Sequence, residues 1–525
     1  MDFLHGKTVR DLWRERVELS GDDRFLITDE ATGVERSYDY AEFNDLIDRT
    51  ARAFHDDLGI EKGDKVTIHL PNCPEYLQVW FALLKLGAVS VHSNTNHTVR
   101  EVNYTIDNSD SEAVITSPAY ADLVADACEG TAVETTVYGR VDDEDVDGVV
   151  LDEVVTDADP DLPDVDIDGE DVAQIIFTSG TTSDPKGVLH THANLLYSGE
   201  RASKHTALRP DDRMLTALPV FHVNAQSISV LGSLTVGCEL VLVEEFKASD
   251  YVDQLRRHRA TVTSIIGTQV RALLAQPEQG TDDDNDLREI FFAINVTDDE
   301  KERFEQRFGA PLLNGYGLSE TMTIVTMAPI HGDRAWPSIG RPAFDREVHI
   351  VDDDGNEVAT GERGEIAVGG KRGRNLMKAY YEMPDKTEEA FTEEGWLLTG
   401  DFGRFDEHGN LYFVDRKKNI IESRGENVSE AEVEGVLENH PKVEEAGVIG
   451  VPDDFYGEAV KALVKRADES LTVEELDEYA TENLAEFKRP AEIVFVDEFP
   501  RTSIGKIEKS TLRDEGGVPD EMEAQ

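Results

Sequence analysis

Between Gln174 and Gly187 an apolar run, Gln174-Ile-Ile-Phe, passes without a break into Thr178-Ser-Gly-Thr-Thr-Ser-Asp-Pro-Lys186-Gly. A short buried strand ending in small hydroxyl residues and glycine can turn several backbone N–H groups and hydroxyls toward one anion, and Lys186 adds positive charge. The spacing is not that of the common nucleotide P-loop, which needs Gly directly before the Lys and Ser or Thr directly after it; Pro185 and Gly187 stand there. A polar surface turn is the alternative reading. The run of small hydroxyl and glycine residues after a buried strand weighs against it.

The surrounding sequence predicts α/β layers with a largely parallel sheet. Residues 37–54 repeat apolar positions at helical spacing, Gly63-Asp-Lys-Val-Thr-Ile-His-Leu reads as a turn into a short buried strand, and 75–86 reads as a helix stopped by Gly87. Residues 156–166 and the acidic run 282–286 read as exposed loops. After residue 415 the pattern changes to compact elements: a helix over 429–438, strands over 445–451, 459–464 and 492–496, and a helix over 473–484. This predicts a separate, smaller α+β domain.

At 525 residues and 39% hydrophobic content the chain can bury a large core without disulfide or metal staples. Its longest apolar stretch, 76–91, is cut by Gln78 and Lys85 and is too short to span a membrane; the first residues do not read as a secretory signal. Cys73, Cys128 and Cys238 are widely spaced, as expected of thiols in a reducing cytoplasm. The 109 acidic residues against 51 basic ones give a net charge of -58, which argues against nucleic acid or an anionic membrane as a partner. By the area scaling law a protein of this mass exposes about 19,000 Å², placing acids about 13 Å apart. That spacing is comparable with the Debye length of about 8 Å at ordinary ionic strength and far above the ~3 Å at 1 M salt. The expectation is a protein of a high-salt cytoplasm.

Further motifs succeed the hydroxyl loop in order: Pro219-Val-Phe-His222-Val223-Asn224, Asn314-Gly315-Tyr316-Gly317-Leu-Ser319-Glu320, Trp396-Leu-Leu-Thr-Gly-Asp401, Asp415-Arg416-Lys-Lys418, Gly425-Glu426-Asn427 and Pro500-Arg-Thr-Ser-Ile-Gly-Lys506. With the loop they resemble the adenylate-forming enzymes: acyl-CoA synthetases, peptide-synthetase adenylation domains and luciferases. The resemblance covers essentially the whole chain. Residues 1–13, Ser183, 335–341 and 423–429 narrow it toward the crotonobetaine/carnitine-CoA ligases.

The resemblance implies a large domain of layered α/β sheets over 1–415, a hinge at 416–418 with Lys418 at its centre, and a mobile α+β lid over 419–525. It implies an AMP-forming acyl-CoA synthetase: a carboxylic acid reacts with ATP to acyl-AMP and pyrophosphate, and CoA then displaces AMP. Thr178, Ser179, Gly180, Thr181, Thr182, Lys186 and Ser319 would hold the phosphates, and Glu320 a Mg²⁺ ion, as a hard oxygen ligand. Asn314, Gly315, Tyr316 and Gly317 would hold adenine, Asp401 and Arg416 the ribose, and Gly425, Glu426 and Asn427 the CoA channel. Lys506 would bridge carboxylate and phosphate in the first step. His222, which read alone is as well a structural histidine, would gate the carboxylate site, with Val223, Asn224 and Asn295 in the acyl pocket. The chain departs from the family at 292–295, where Phe-Ala-Ile-Asn replaces a Gly-Gly-Ala stretch, and from the betaine ligases at Asn224, where they carry an acid. A trimethylammonium group needs a carboxylate or an aromatic face, so the expected substrate is a fatty or other organic acid with an uncharged tail. A crotonobetaine/carnitine-CoA ligase, loading of a carrier protein in trans and nucleotide binding without chemistry are the alternatives, and a homodimer is allowed.

Overall fold

The computed structural model describes residues 4, 6–31, 33–141, 146–178, 185–293, 296–416, 420–423, 426–453, 457–484, 488–501 and 507–514. The chain divides into two compact units. The larger takes in most of the chain up to Glu347 together with Val368–Leu397; the smaller takes in Val348–Ala367 and everything from Leu398 onward. The sequence places its boundary at 415 instead. The difference arises because Leu397–Phe405 and Leu411–Arg416 pair with each other, Asp401 opposite Arg416, so the hairpin before the expected hinge groups with the C-terminal part of the chain.

Two sheets build the larger unit among the described residues. In the first, Val172–Thr178, Val89–His92, Lys65–Ile68, Ala113–Thr116, Thr135–Tyr138 and Val149–Val150 run parallel in that spatial order; Lys186–Thr191 and then Ala379–Tyr380 add antiparallel at one edge. The second has a parallel centre of Leu312–Leu318, Glu289–Ala293, Val262–Ile266, Arg213–Thr216, Glu239–Val243 and Arg24–Asp29. Beyond its first strand Thr323–Met327 turns back antiparallel. The central strands read as continuous apolar runs because both faces are covered.

One core cluster joins side chains of both sheets, among them Val66, Ile68, Leu26, Leu240 and Met214, to the helix Pro74–Leu86. Every residue of that helix is buried, which is why its apolar pattern is nearly unbroken. Proline opens it and Gly87 closes it at φ +74°, where a side chain would be strained. The helical spacing seen from residue 37 belongs in fact to a strand, Glu35–Asp39, and then a helix, Tyr40–Asp56. Asp39 starts the helix by accepting the Glu42 N–H while Glu42 reaches back to the Asp39 N–H. The acidic loop at 282–286 is only partly exposed: the Asp282 carboxylate is buried and accepts from Arg307 Nε at 2.7 Å.

In the smaller unit Gly457–Arg466 pairs antiparallel with Val443–Asp453 and parallel with Glu492–Val496; Ile420–Ser423 and Glu426–Ser429 form a hairpin at its other side. Helices Glu430–Glu438 and Val473–Asn483 close this unit's core around Val433, Leu437, Leu476 and Ala480. No helix among the described residues is long and apolar enough to cross a membrane.

Candidate active site

Thr178 and Lys186 face each other in register at the ends of two antiparallel strands, so they form the base of the hydroxyl loop. Lys186 Nζ lies 4.6 Å from the centre of the Tyr380 ring, a cation–π distance. The Tyr380 hydroxyl donates to Glu320 Oε1 at 2.9 Å. Burial first, and then the Glu320 charge, raise the Tyr380 phenol far above its ordinary value, so it stays a donor. Tyr380 thus links Lys186, at the base of the loop, to Glu320 on the Ser319–Thr321 turn. Tyr380 is a residue that motif reading passed over; its signal is only an aromatic pair, Tyr380-Tyr381, whose first member ends the two-residue edge strand Ala379–Tyr380.

The turn itself is tight. Ser319–Thr321 is a single 3₁₀ turn, followed by Met322 and Thr323 at φ +46° and +60°. Both are left-handed without being glycine, and Thr323 is β-branched, so the backbone is strained at this point. Neighbours hold it: Thr323 Oγ1 donates to Ser227 Oγ at 2.6 Å, Met377 N donates to the Glu320 carbonyl at 2.7 Å, and Arg346 reaches the Thr321 and Ile324 carbonyls. A Cβ on Gly317 would sit 2.5 Å from the Thr323 carbonyl carbon, so the returning strand requires glycine there. Asn314 is buried and donates to the Ser338 carbonyl at 3.0 Å; a Cβ on Gly315 would meet the Phe291 ring at 2.8 Å. Tyr316 is half-buried on the same strand.

His222 follows a turn from Pro219, edge-on to Phe221 at 4.7 Å between ring centres. Burial, aided by His97, pushes its imidazole down to about 4, and its Nε2 has no hydrogen-bond partner among the described residues. The residue offers a neutral polar edge rather than a cation. Asn224 is pinned by Ser264, whose hydroxyl donates to Oδ1 at 2.8 Å, and the helix after it, Ala225–Leu231, is wound in the wide π form common beside functional sites. Val223 is half-buried beside the main core.

Within the smaller unit, Asp401 is buried and its cross-strand partner is Arg416, so the two residues expected at the ribose share one register position. Asp415 Oδ2 accepts from Ser429 Oγ at 2.7 Å and from Ala431 N at 2.9 Å, tying the strand before the expected hinge to the helix after it. Glu426 and Asn427 lie in a strand opposite Ser423 and Glu422. Ser179, Gly180, Thr181, Thr182, Asn295, Lys418, Gly425 and Lys506 lie outside the described residues.

No group of three or more His, Cys, Asp or Glu side chains suited to a metal occurs among the described residues. The turn offers a carboxylate, Glu320, next in sequence to the hydroxyl-bearing Ser319. A hard-oxygen set this small fits Mg²⁺ delivered on a polyphosphate, which keeps several waters and takes one or two carboxylates; it does not fit a resident cage.

Known proteins share this organisation. Residues 13–381 match the family described as AMP-binding enzyme, and residues 432–506 match AMP-binding enzyme C-terminal domain. The chain is 38% identical to the crotonobetaine/carnitine–CoA ligase of Proteus mirabilis, over 98% of this chain and all of that protein. It has the same identity and shares with the ligase of Salmonella paratyphi A. Among solved structures it is similar to ATP-bound MatB from Rhodopseudomonas palustris, with TM-score 0.86 and 28% identity over 96% of this chain and 98% of that one. It is also similar to the Bacillus subtilis o-succinylbenzoate CoA synthetase in complex with its acyl-adenylate intermediate, with TM-score 0.82 and 28% identity over the same shares.

Proposed function

Since the chain belongs to the AMP-binding enzyme family and is an acid–thiol ligase of the acyl-CoA synthetase kind, we propose how its own residues divide the two steps and which acid it takes. In the first step the acid's carboxylate attacks the α-phosphate of ATP, the bond to pyrophosphate breaks, and acyl-AMP forms. In the second a thiolate attacks the acyl carbon and AMP leaves.

The reading is carried by the contacts that join Lys186 to Tyr380 and Tyr380 to Glu320. Lys186, Thr178 and the loop residues 179–182 neutralise the phosphates. Glu320, oriented by Tyr380, would hold Mg²⁺ with Ser319 nearby; when bound, the ion draws negative charge from the phosphate oxygens. Asn314 to Gly317 receive adenine, with Tyr316 as its stacking face, and Asp401 and Arg416 receive the ribose. Lys506, on a lid over 419–525 that turns about Lys418, brings the cation needed between carboxylate and α-phosphate. Gly425 to Asn427 then line the CoA channel.

The substrate is an organic acid with an uncharged tail, fatty or otherwise, although the relatives are named for betaines. The groups about the acyl pocket are neutral: Phe221, a neutral His222, and Asn224 tied to Ser264. The buried carboxylates of this unit have arginine partners: Glu30 and Glu75 with Arg36, Asp212 with Arg288, Asp282 with Arg307 and Glu289 with Arg334. A quaternary ammonium would find none of them unengaged. The test is ATP–pyrophosphate exchange across a panel of acids, followed by AMP release with CoA and with a carrier protein. Neutral acids with CoA should give the highest kcat/KM; a tenfold preference for carnitine or crotonobetaine, about 1.4 kcal/mol, refutes the substrate reading.

The working medium is a high-salt cytoplasm. The accessible area is 23155 Å², larger than the scaling law gives, so the 109 acidic residues stand about 15 Å apart. That is roughly two Debye lengths at ordinary ionic strength, where each pair repels weakly but a net charge of -58 sums many pairs, and about five at molar salt, where the sum vanishes. The melting temperature and activity should rise from about 0.2 to about 2 M KCl; a flat or falling melting temperature contradicts the reading.

A further inference from the structure

Five polar residues that no motif accounts for run through the apolar interior of the larger unit and end on the Ser319–Glu320 turn. Tyr76 sits on the buried helix, His92 and Gln174 on neighbouring parallel strands, and His190 directly opposite Gln174 on the antiparallel edge. Gln226 joins from the π-wound helix. All five are buried.

The hydrogen bonds among them admit one direction. The Ser319 carbonyl can only accept, so His190 Nε2, 2.8 Å away, carries the proton. A neutral ring then has a bare Nδ1, which must face the donor end of Gln174; Nε2 of that amide is 3.3 Å away and also donates to Gln226 Oε1 at 2.9 Å. Gln174 Oε1 therefore faces His92, whose Nε2 donates to it at 3.2 Å. His92 Nδ1 is left as an acceptor for the Tyr76 hydroxyl at 2.6 Å. Burial keeps both imidazoles neutral and the Tyr76 phenol protonated, so every link holds one sense.

We propose that His190 and Gln174, aligned by His92 and Tyr76, are positioning residues that clamp the strained turn carrying Glu320 in the geometry the phosphates require. The inference rests on Glu320 acting at the phosphate site. The clamp is placed where a turn needs it. His190 fixes the carbonyl before Glu320, Met377 N the carbonyl after it, and Tyr380 the carboxylate. Gln174 Nε2 also lies 3.8 Å from the sulfur of Met322, the first left-handed residue of the turn. With both flanking carbonyls held, the two peptide planes of Glu320 are fixed beside the strained residues Met322 and Thr323. A leucine or valine lattice at these positions would pack as well but would leave the Ser319 carbonyl only the Met322 N–H of its own turn, 3.0 Å away, and no anchor to the neighbouring strand.

The test uses the full chain with ¹⁵N-labelled histidine and the variants His190→Leu, His190→Gln and Gln174→Met. In the wild type, both His190 and His92 should carry their proton on Nε2. His190→Leu and Gln174→Met, checked for folding by thermal melting, should raise the Mg²⁺ concentration for half-maximal ATP–pyrophosphate exchange and lower its kcat, each about tenfold, with the KM for the acid unchanged. His190→Gln, whose amide N–H can reach the Ser319 carbonyl, should recover most of the loss. A proton on His190 Nδ1 in the wild type, a folded His190→Leu or Gln174→Met with the wild-type Mg²⁺ requirement, or a His190→Gln no better than His190→Leu would each overturn the proposal. Should His190→Leu fail to fold, Gln174→Met carries the same comparison. If the wild type exchanges pyrophosphate with no acid, the adenylation reading falls separately. The clamp is then judged by the tautomers and by calorimetry of ATP with Mg²⁺: about tenfold weaker binding in Gln174→Met supports it, and unchanged binding overturns it.

Discussion

In the larger unit the buried relay that ends on the Ser319–Glu320 turn is neutral: Tyr76, His92, Gln174, His190 and Gln226 pass donors and acceptors along without a charge among them. In the smaller unit the equivalent depth holds ions. Lys509 Nζ lies 2.6 Å from Glu434 and 3.0 Å from Glu430, and Arg513 is 2.6 Å from Glu430. One physical cause, the cost of a charge out of water, acts in both places with opposite results. It pushes His92 down to about 3 and His190 to about 4, and it pushes Glu434 up to about 7 although Lys509 and the Val448 N–H oppose it. A preorganised cradle is best built from groups whose state does not change. On the proposed reading the movable cation, Lys506, comes from the C-terminal part of the chain.

The most severe way to break that contrast is to remove the delivered charge. Lys506→Ala should lower acyl-AMP formation by about 10²- to 10³-fold, while CoA attack on supplied acyl-AMP stays close to wild type. Single-turnover assays of each half-reaction read this directly. Equal loss in both would mean that Lys506 is not confined to one step and that the division of labour is wrong.

Next in size is the response to acid. His92 and His190 have folded pKa values below the ordinary 6.5, so between about 6.5 and 4 the unfolded chain binds more protons. Their stabilisation is complete above 6.5 and is lost as pH falls, at up to about 1.4 kcal/mol per pH unit for each ring. Glu434, raised from 4.5 to about 7, binds its proton in the folded state first, so its contribution improves over the fall from 7 to 4.5. Hydrogen exchange should therefore show Val172–Thr178 losing protection between pH 6.5 and 5 while Val443–Asp453 holds or gains. Parallel loss in both strands would contradict the contrast.

Much of this was legible in residues that are close in sequence. The helix over 75–86, its stop at Gly87 and the strand over 492–496 come from local periodicity and turn chemistry, and the structure has Pro74–Leu86 and Glu492–Val496 there. Elements of the smaller unit differ by at most two residues at either end, and the strands Val443–Asp453 and Gly457–Arg466 gain two at each end by pairing with each other. The relay was not legible. His92, Gln174 and His190 each read as one polar residue in an apolar strand, and only the register that sets Gln174 against His190 gives them a common purpose. His190 and His192, two apart in sequence, part company: one binds the Ser319 carbonyl, and the other packs at a helix start beneath the Val9 N–H. Tyr380 escaped for the same reason, since nothing local announces that it will meet Glu320.

A smaller change sharpens the neutral side. Asn224→Asp places a carboxylate where Ser264 now donates to an amide oxygen, so it keeps the acceptor and adds a charge. The ratio of kcat/KM for crotonobetaine to that for a neutral acid of similar size should rise about tenfold. A ratio that does not move would show that the pocket's charge is not set at this position.

The mildest test lies in the smaller unit. Glu434→Gln keeps the shape and an acceptor for the Val448 N–H, which now donates to Glu434 Oε1 at 2.6 Å, but removes the titration. Lys509 keeps Glu430 at 3.0 Å, so a cation is not stranded. Replacing one member of a buried ionic group by a neutral isostere costs far less than deleting it when a second partner remains. At pH 7, where Glu434 is about half protonated already, the change should cost no more than about 1 kcal/mol. The slope of protection with pH in Val443–Asp453 should flatten, while that of Val172–Thr178 is unchanged. If the slope in Val443–Asp453 survives the substitution, Glu434 is not the group that sets it, and the opposition between a neutral relay and a titrating smaller unit loses its second half.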